Sequence, residues 1–207
     1  EWNTSNVTDM GSMFYNCNSL TKLEISNWDT SNVESMYCMF ESCSSLTNLE
    51  IGNWNTSNVK SMDNIFLDCS SLTELEIGNW DTSNLNGMMG SLFADCKSLT
   101  RLNLEGWDTS NVIYMEGLFS GCNALTTLVL GEKFDKLTGC MMFDDCKSLR
   151  AIITSRKQPI ELDEITEILD CYKDAENGVS TILYVLDENI EKDYEAAEYY
   201  DKIFASA

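Results

Sequence analysis

The chain of 207 residues contains no histidine, a single proline, 11 glycines and only 13 basic residues against 34 acidic ones. Each shortage excludes something. Without histidine the commonest general base and the commonest metal ligand are both missing. One proline and few glycines leave no room for a long disordered linker. A net charge of −21 repels nucleic-acid phosphates and an anionic membrane surface alike. No apolar run approaches the roughly 18 residues of a spanning helix, and nothing resembles a signal peptide. An initiator methionine is also lacking. Glu1 stands one residue ahead of a Trp that opens a repeat, as expected of a processed or trimmed piece of a longer protein.

What is present is repetition. Trp2, Trp28, Trp54, Trp80 and Trp107 lie 26, 26, 26 and 27 residues apart. The second copy reads WDTSNVESMYCMFESCSSLTNLEIGN, and the third reads WNTSNVKSMDNIFLDCSSLTELEIGN. A fixed period of this length predicts a solenoid, in which no unit buries its own apolar stripe and each packs on its neighbours.

Nine cysteines suggest a disulfide framework until their positions are compared. Cys17, Cys43, Cys69, Cys96, Cys122 and Cys146 each follow a Phe by three residues and precede a Leu by three. They are one repeat position. Equivalent side chains in neighbouring copies point the same way, which is poor geometry for bridging or for tetrahedral zinc. Inert, buried thiols are expected. Cys38, Cys140 and Cys171 fall outside this column, and cysteine usage leaves the redox compartment open.

Within a copy, Met36, Met39, Phe40 and Cys43 lie at i, i+3, i+4 and i+7, the spacing of one face of a short helix. Leu46, Leu49 and Ile51 then follow as L-x-x-L-x-I, ending in strand-like alternation. The same signal recurs at Leu20-Leu23-Ile25, Leu72-Leu75-Ile77, Leu99-Leu102-Leu104 and Leu125-Leu128-Leu130. A polar corner, N-W-D-T-S-N, leads to Val33 and the next apolar series. Thr30, Ser31 and Asn32 and their equivalents are expected to satisfy backbone groups of the turn and of the next copy. One residue is inserted between Leu85 and Phe93, so the fourth copy must bulge there. The sixth copy has Phe134 in the Trp position and no T-S-N corner, as a terminal repeat would.

The repeat T-S-N-V-x-x-M-x-x-M-F-x-x-C-x-x-L-x-x-L-x-I resembles the BspA-like leucine-rich repeats of bacterial surface proteins, in their Trp/Phe-x-Thr-Ser-Asn-Val subtype. The resemblance covers residues 1 to about 153. The tail, STILYVLDENIEKDYEAAEYYDKIFAS, is similar to the Tyr-Val-Pro-x-x-x-x-x-x-Tyr segment that closes many such arrays, with Leu186 where that pattern has Pro. The resemblance implies an extracellular adhesion or protein-binding module and no catalytic residues.

Composition changes at SRKQP, residues 155–159. Beyond it, Ile160, Leu162, Ile165, Ile168, Leu169 and Tyr172 predict an amphipathic helix with acids in its first turns. Asn177-Gly178 predicts a turn, VSTILYVL (179–186) a buried strand, and residues 187–203 a second helix. The expected architecture is thus an α/β repeat solenoid: a leucine-rich-repeat right-handed superhelix of about six 26-residue coils, residues 1–153, with a small C-terminal α/β cap, residues 154–207, covering the open edge of the last coil.

The candidate site lies between the inward Leu and Ile positions. Lys22, Glu24, Asn48, Glu50, Glu74, Glu76, Arg101 and Asn103 are expected on an exposed strand face, flanked by a threonine column from Thr21 to Thr126. There Glu24, Glu50 and Glu76 would form an acidic ladder at steps of about 5 Å, close enough to repel. A partner or a cation relieves such repulsion. Asp187, Glu188, Asn189, Glu191 and Asp193 crowd oxygens together but lack the glycine and spacing of an EF-hand loop, and acids at a helix start explain them. With no histidine and no inserted loop to enclose a pocket, no enzyme activity is expected, and no catalytic, cofactor or metal-ligating residue is assigned. The expected function is adhesion or protein recognition outside a bacterial cell, through the strand face, with a protein or a host or matrix surface component as partner. A structural spacer in a larger surface protein and a calcium-stabilised surface module are the alternatives.

Overall fold

The backbone of each copy spends its N–H groups alternately. In the first copy Met13, Tyr15 and Cys17 donate back to the carbonyls of Met10, Ser12 and Phe14, three residues earlier. Between them Met10, Ser12, Phe14 and Asn16 donate forward to Ser35, Tyr37, Met39 and Glu41 of the second copy, at 2.8–2.9 Å. The second copy repeats the scheme, with Met36, Cys38, Phe40 and Ser42 donating to Ser61, Asp63, Ile65 and Leu67. An α-helix needs every N–H for its own i−4 carbonyl. Here half of them hold the neighbouring copy.

The dihedral angles agree. Ser12 and Asn16 have φ of 56° and 58°, Asn64 and Asp68 both 56°, and Asp95 and Asp145 both 57°. Each copy thus passes twice through the left-handed region, which an α-helix of L-residues does not enter. The second position, immediately before each repeat cysteine, is Asn16, Ser42, Asp68, Asp95, Gly121 or Asp145. Asn, Asp and Gly are the residues that adopt this conformation at least cost.

The computed structural model describes residues 2–134, 139, 141–149, 151–154 and 184–187. Among the described residues six strands are present: β1 (Gly87–Met88), β2 (Arg101–Leu104), β3 (Val112–Tyr114), β4 (Thr127–Leu130), β5 (Ala151–Thr154) and β6 (Tyr184–Asp187). They form a two-stranded sheet, β1-β3, and a four-stranded sheet in the order β2-β4-β5-β6, with all pairs parallel. Arg101 faces Thr127, one period on, and Thr127 faces Ala151, two residues short of a period. In the first three copies the same neighbours meet only at isolated parallel bridges, Asp9 to Ser35 to Ser61 and Asn48 to Glu74.

The expected α/β solenoid, a right-handed leucine-rich-repeat superhelix, is therefore corrected. Among the described residues there is no helix, the strands make only two small parallel sheets, and no superhelix is found. The i, i+3, i+4, i+7 spacing marked inward positions correctly, since Met36, Met39, Phe40 and Cys43 are all fully buried. Successive turns place those positions inward as a helix would, so the spacing alone misled. The helix expected over 160–172 lies outside the described residues, as does that over 187–203 except for Asp187, which falls in β6 and not in a helix. Of the strand expected over 179–186, Tyr184 to Leu186 fall in β6, whereas β5 was not expected at all. Near the one-residue insertion of the fourth copy the β1-β3 ladder shifts register between Gly87 and Met88, skipping Ile113, with Gly87 at φ 109°.

The core consists of columns running from copy to copy. The indoles of Trp28, Trp54, Trp80 and Trp107 lie 6.3–6.4 Å apart and within 6° of parallel. Beside them Phe14, Phe40, Phe66, Phe93, Phe119 and Phe143 follow at 5.4–5.8 Å. Polar core atoms are answered across the copy boundary. The indole N–H groups of Trp54, Trp80 and Trp107 donate to the carbonyls of Ile25, Ile51 and Ile77. The thiols of Cys43, Cys69, Cys96, Cys122 and Cys146 donate to the carbonyls of Phe14, Phe40, Phe66, Phe93 and Phe119 at 3.0–3.2 Å. Buried Thr30, Thr56 and Thr82 donate to the next corner's carbonyl at Asn55, Asp81 and Asp108.

Candidate functional site

Of the eight residues expected on a strand face only Arg101 and Asn103 lie in a strand, β2, but the segment alternates in every copy. Ile25, Leu49, Ile51, Leu75, Ile77, Leu102 and Leu104 point into the core at 0–4% exposure, which turns the residues between them outward. Lys22, Glu24, Asn48, Glu50, Glu74, Glu76 and Arg101 are exposed, and Asn103 is half-buried. Two columns result. One contains Asn48 and Glu74, joined by their bridge, and Arg101, which faces Thr127. The other contains Glu50 and Glu76, then Asn103, which faces Val129.

Charge on this face is only partly answered. Lys22 and Glu24 pair at 2.7 Å, both largely exposed. The hydrogen bond between them raises the lysine above its ordinary range and lowers the glutamate below its own, with Glu50 adding to the rise at Lys22. Such an exposed pair adds little to stability. Asn103 is engaged locally, its side-chain oxygen accepting the Glu105 N–H at 2.9 Å.

A cleft of about 440 Å³ adjoins the face, lined by Gly52, Glu76, Gly78, Asn103, Glu105 and Gly106, together with Asn79. Its floor is close backbone packing. A Cβ at Gly52 would strike the carbonyl of Glu76, and one at Gly106 the carbonyl of Gly78. Sequence reasoning missed Asn79 and Glu105. The glycine that closes the L-x-I or L-x-L segment in most copies, Gly52, Gly78 and Gly106 among them, is the signal that could have found them.

The corner carries out the expected backbone duties. Asn32, Asn58, Asn84 and Asn111 donate to the carbonyls of Ser5, Ser31, Ser57 and Ser83 in the preceding copy. Asp29 and Asp81 accept both the N–H and the hydroxyl of the serine two residues on, and these bonds hold both carboxyls below their ordinary range. Burial pushes Asp108 up, but Ser110 and Lys133, the latter at 3.0 Å, outweigh it and hold that carboxyl down.

The described cysteines are free thiols. Burial raises Cys43 to about 11 and Cys122 to about 12, and pushes Cys69 and Cys96 well above the usual thiol range. Cys38, outside the column, is raised to about 11 by the same cause. At neutral pH these sulfurs are protonated and poor nucleophiles. Among the described residues no group of three or more His, Cys, Asp or Glu could hold a metal ion. The acid-rich run 188–193 lies outside the described residues.

The sequence matches the family described as "Mycoplasma protein of unknown function, DUF285" over residues 1–88 and again over 47–157. No curated protein and no solved structure matches the chain.

Proposed function

Because the chain belongs to the DUF285 family, a repeat family related in general to the BspA group, we propose that it is a protein-binding or adhesion module of a bacterial cell-surface protein. The finer likeness to the Trp/Phe-x-Thr-Ser-Asn-Val subtype belongs to the same reading. The observation that carries it is the outward face of the alternating segment, where the side chains of Glu50, Glu74 and Glu76 stand exposed on neighbouring copies. The core columns and corner bonds hold the copies together without them. Residues so placed are available to an extracellular protein or matrix component that supplies positive charge.

The test is the double substitution Glu50→Lys with Glu76→Lys. Binding to immobilised host-surface and matrix proteins should fall by tenfold or more, a loss typical of reversed charges facing a partner. The melting midpoint should stay where it is, because exposed substitutions away from core features change stability by about 0.5 kcal/mol at most. Undiminished binding by the double variant would sink the reading.

A further inference from the structure

We infer that the β1-β3 ribbon is a second recognition surface, which takes a segment of another protein carrying apolar side chains flanked by Lys or Arg. Met88 and Tyr114 are direct partners across the ribbon, and both are exposed, at 61% and 51%. Ile113, which the ladder skips between Val112 and Tyr114, is 84% exposed, the most of any large apolar side chain among the described residues.

Neighbouring copies show that the fold does not ask for these residues. Met88 and Tyr114 each stand immediately before the buried Met of their copy, Met89 and Met115. In the first three copies that position is Asp9, Ser35 and Ser61, joined by parallel bridges. The position of Ile113 is held there by Thr8, Glu34 and Lys60. Polar residues therefore satisfy the same backbone and the same core. The ladder shifts register between Gly87 and Met88, which leaves Ile113 as the extra residue on the β3 side of the bulge. Contiguous apolar side chains on a surface mark a contact site more often than isolated ones do.

Charge selects the occupant. A second copy would bring another −21 to the interface. The cation of this face, Lys60, is paired with Glu34 at 2.8 Å. Two carboxylates lie beside the ribbon: Glu116, two residues past Tyr114, and Asp63, whose neighbour Asn64 donates its N–H to the Gly90 carbonyl of the fourth copy at 3.3 Å. Apolar anchors with basic flanks match both features, burying the ribbon's side chains and answering its charge.

Short peptides displayed on phage, selected on the whole chain at physiological ionic strength, provide the probe. Enriched peptides should combine aliphatic or aromatic residues with Lys or Arg and should bind more weakly as salt rises. Met88→Ser, Ile113→Thr and Tyr114→Ser import what other copies already carry or closely resemble, so each should fold with an unchanged melting midpoint. Each should weaken the selected peptide by about tenfold or more. Glu50→Lys with Glu76→Lys should leave that peptide bound, which separates this surface from the strand face. The inference is overturned if no peptide is enriched, if the enriched peptides lack basic residues, or if all three ribbon variants bind as the parent does. Sedimentation showing a dimer that Ile113→Thr dissociates would also overturn it, assigning the ribbon to a second copy. Binding to anionic vesicles abolished by the same change would assign it instead to a lipid surface.

Discussion

The first three copies and the later ones differ on the outside and agree within. Residues 2–80 show β pairing only as isolated bridges and carry Asp, Ser, Thr, Glu and Lys on the segment after the corner. Beyond them the chain forms strands, and that segment becomes Met88, Ile113 and Tyr114. Yet Trp54 and Trp80 lie 6.3 Å apart at 3°, and Trp80 and Trp107, across the inserted residue, 6.4 Å apart at 6°. The phenylalanine column is equally indifferent, at 5.8 Å on both sides of Phe93. Regular sheet is therefore not what sets the register. Aromatic columns and alternating cross-copy hydrogen bonds do so, and they leave the outer surface free to vary.

The largest test of that comparison removes one ring from each region. Trp54→Ala and Trp107→Ala should both cost about 3–5 kcal/mol in chemical denaturation, the usual loss for a buried aromatic. A much smaller loss at Trp54, where the copies lack strand pairing, would show that strands do the holding after all. Trp2, at 67% exposure, is the control, and its replacement by Ala should cost no more than about 1 kcal/mol, the scale of one aromatic contact.

A middle-sized effect distinguishes turns from helix by sign. Alanine is the best helix former, so Asp68→Ala would stabilise a helical segment. At φ 56° it should instead cost about 1 kcal/mol, and Asp68→Gly should be close to neutral. Urea midpoints of the two variants decide the matter.

The smallest effect lies where the two regions join. Burial raises the Asp63 carboxyl above its ordinary range, and Oδ1 is buried with no hydrogen-bond partner. A carboxyl with a folded-state pKa above its unfolded one is destabilising while ionised, and that penalty fades as pH falls through the raised value. Asp63→Asn should therefore raise the melting midpoint at neutral pH by roughly 1–2 °C. The difference from the parent should shrink in acid below the raised pKa. The corner carboxyls Asp29, Asp81 and Asp108 work in the opposite sense. Held below their ordinary range, they contribute stability above about pH 4 that is lost as pH falls through their lowered values.

The period made the interior legible. It located the Trp, Phe and Cys columns and the one-residue insertion, because each copy must present the same shape to its neighbours. It did not disclose how the chain travels between those points. Met36, Met39, Phe40 and Cys43 would be buried by a helix or by successive turns, and only the sign of φ separates the two. That information sat in the residues before each cysteine, Asn16, Asp68, Asp95 and Gly121 among them, whose shared tolerance of the left-handed region was readable but unread. The strand face was visible from alternation, whereas the engagement of Asn103 by Glu105 depends on backbone geometry that spacing does not carry. Strand β5 escaped because its AIIT follows Leu149 without the L-x-I signature, and its pairing arrives two residues early. Ile113 and its neighbours stood out only when the exposure of equivalent positions could be compared.

Forward hydrogen bonds within the turn segments link a residue to one about a period ahead, and this makes chain length a quantised property. Excising residues 29–54 removes 26 positions and leaves Met10 opposite Ser61 in place of Ser35, and Phe14 opposite Ile65 in place of Met39. Every donor recovers an acceptor of the same kind, and the aromatic columns close over the gap. Loss of a single residue from the same stretch would set side chains out of phase with their partners, so here the larger deletion should be the milder one.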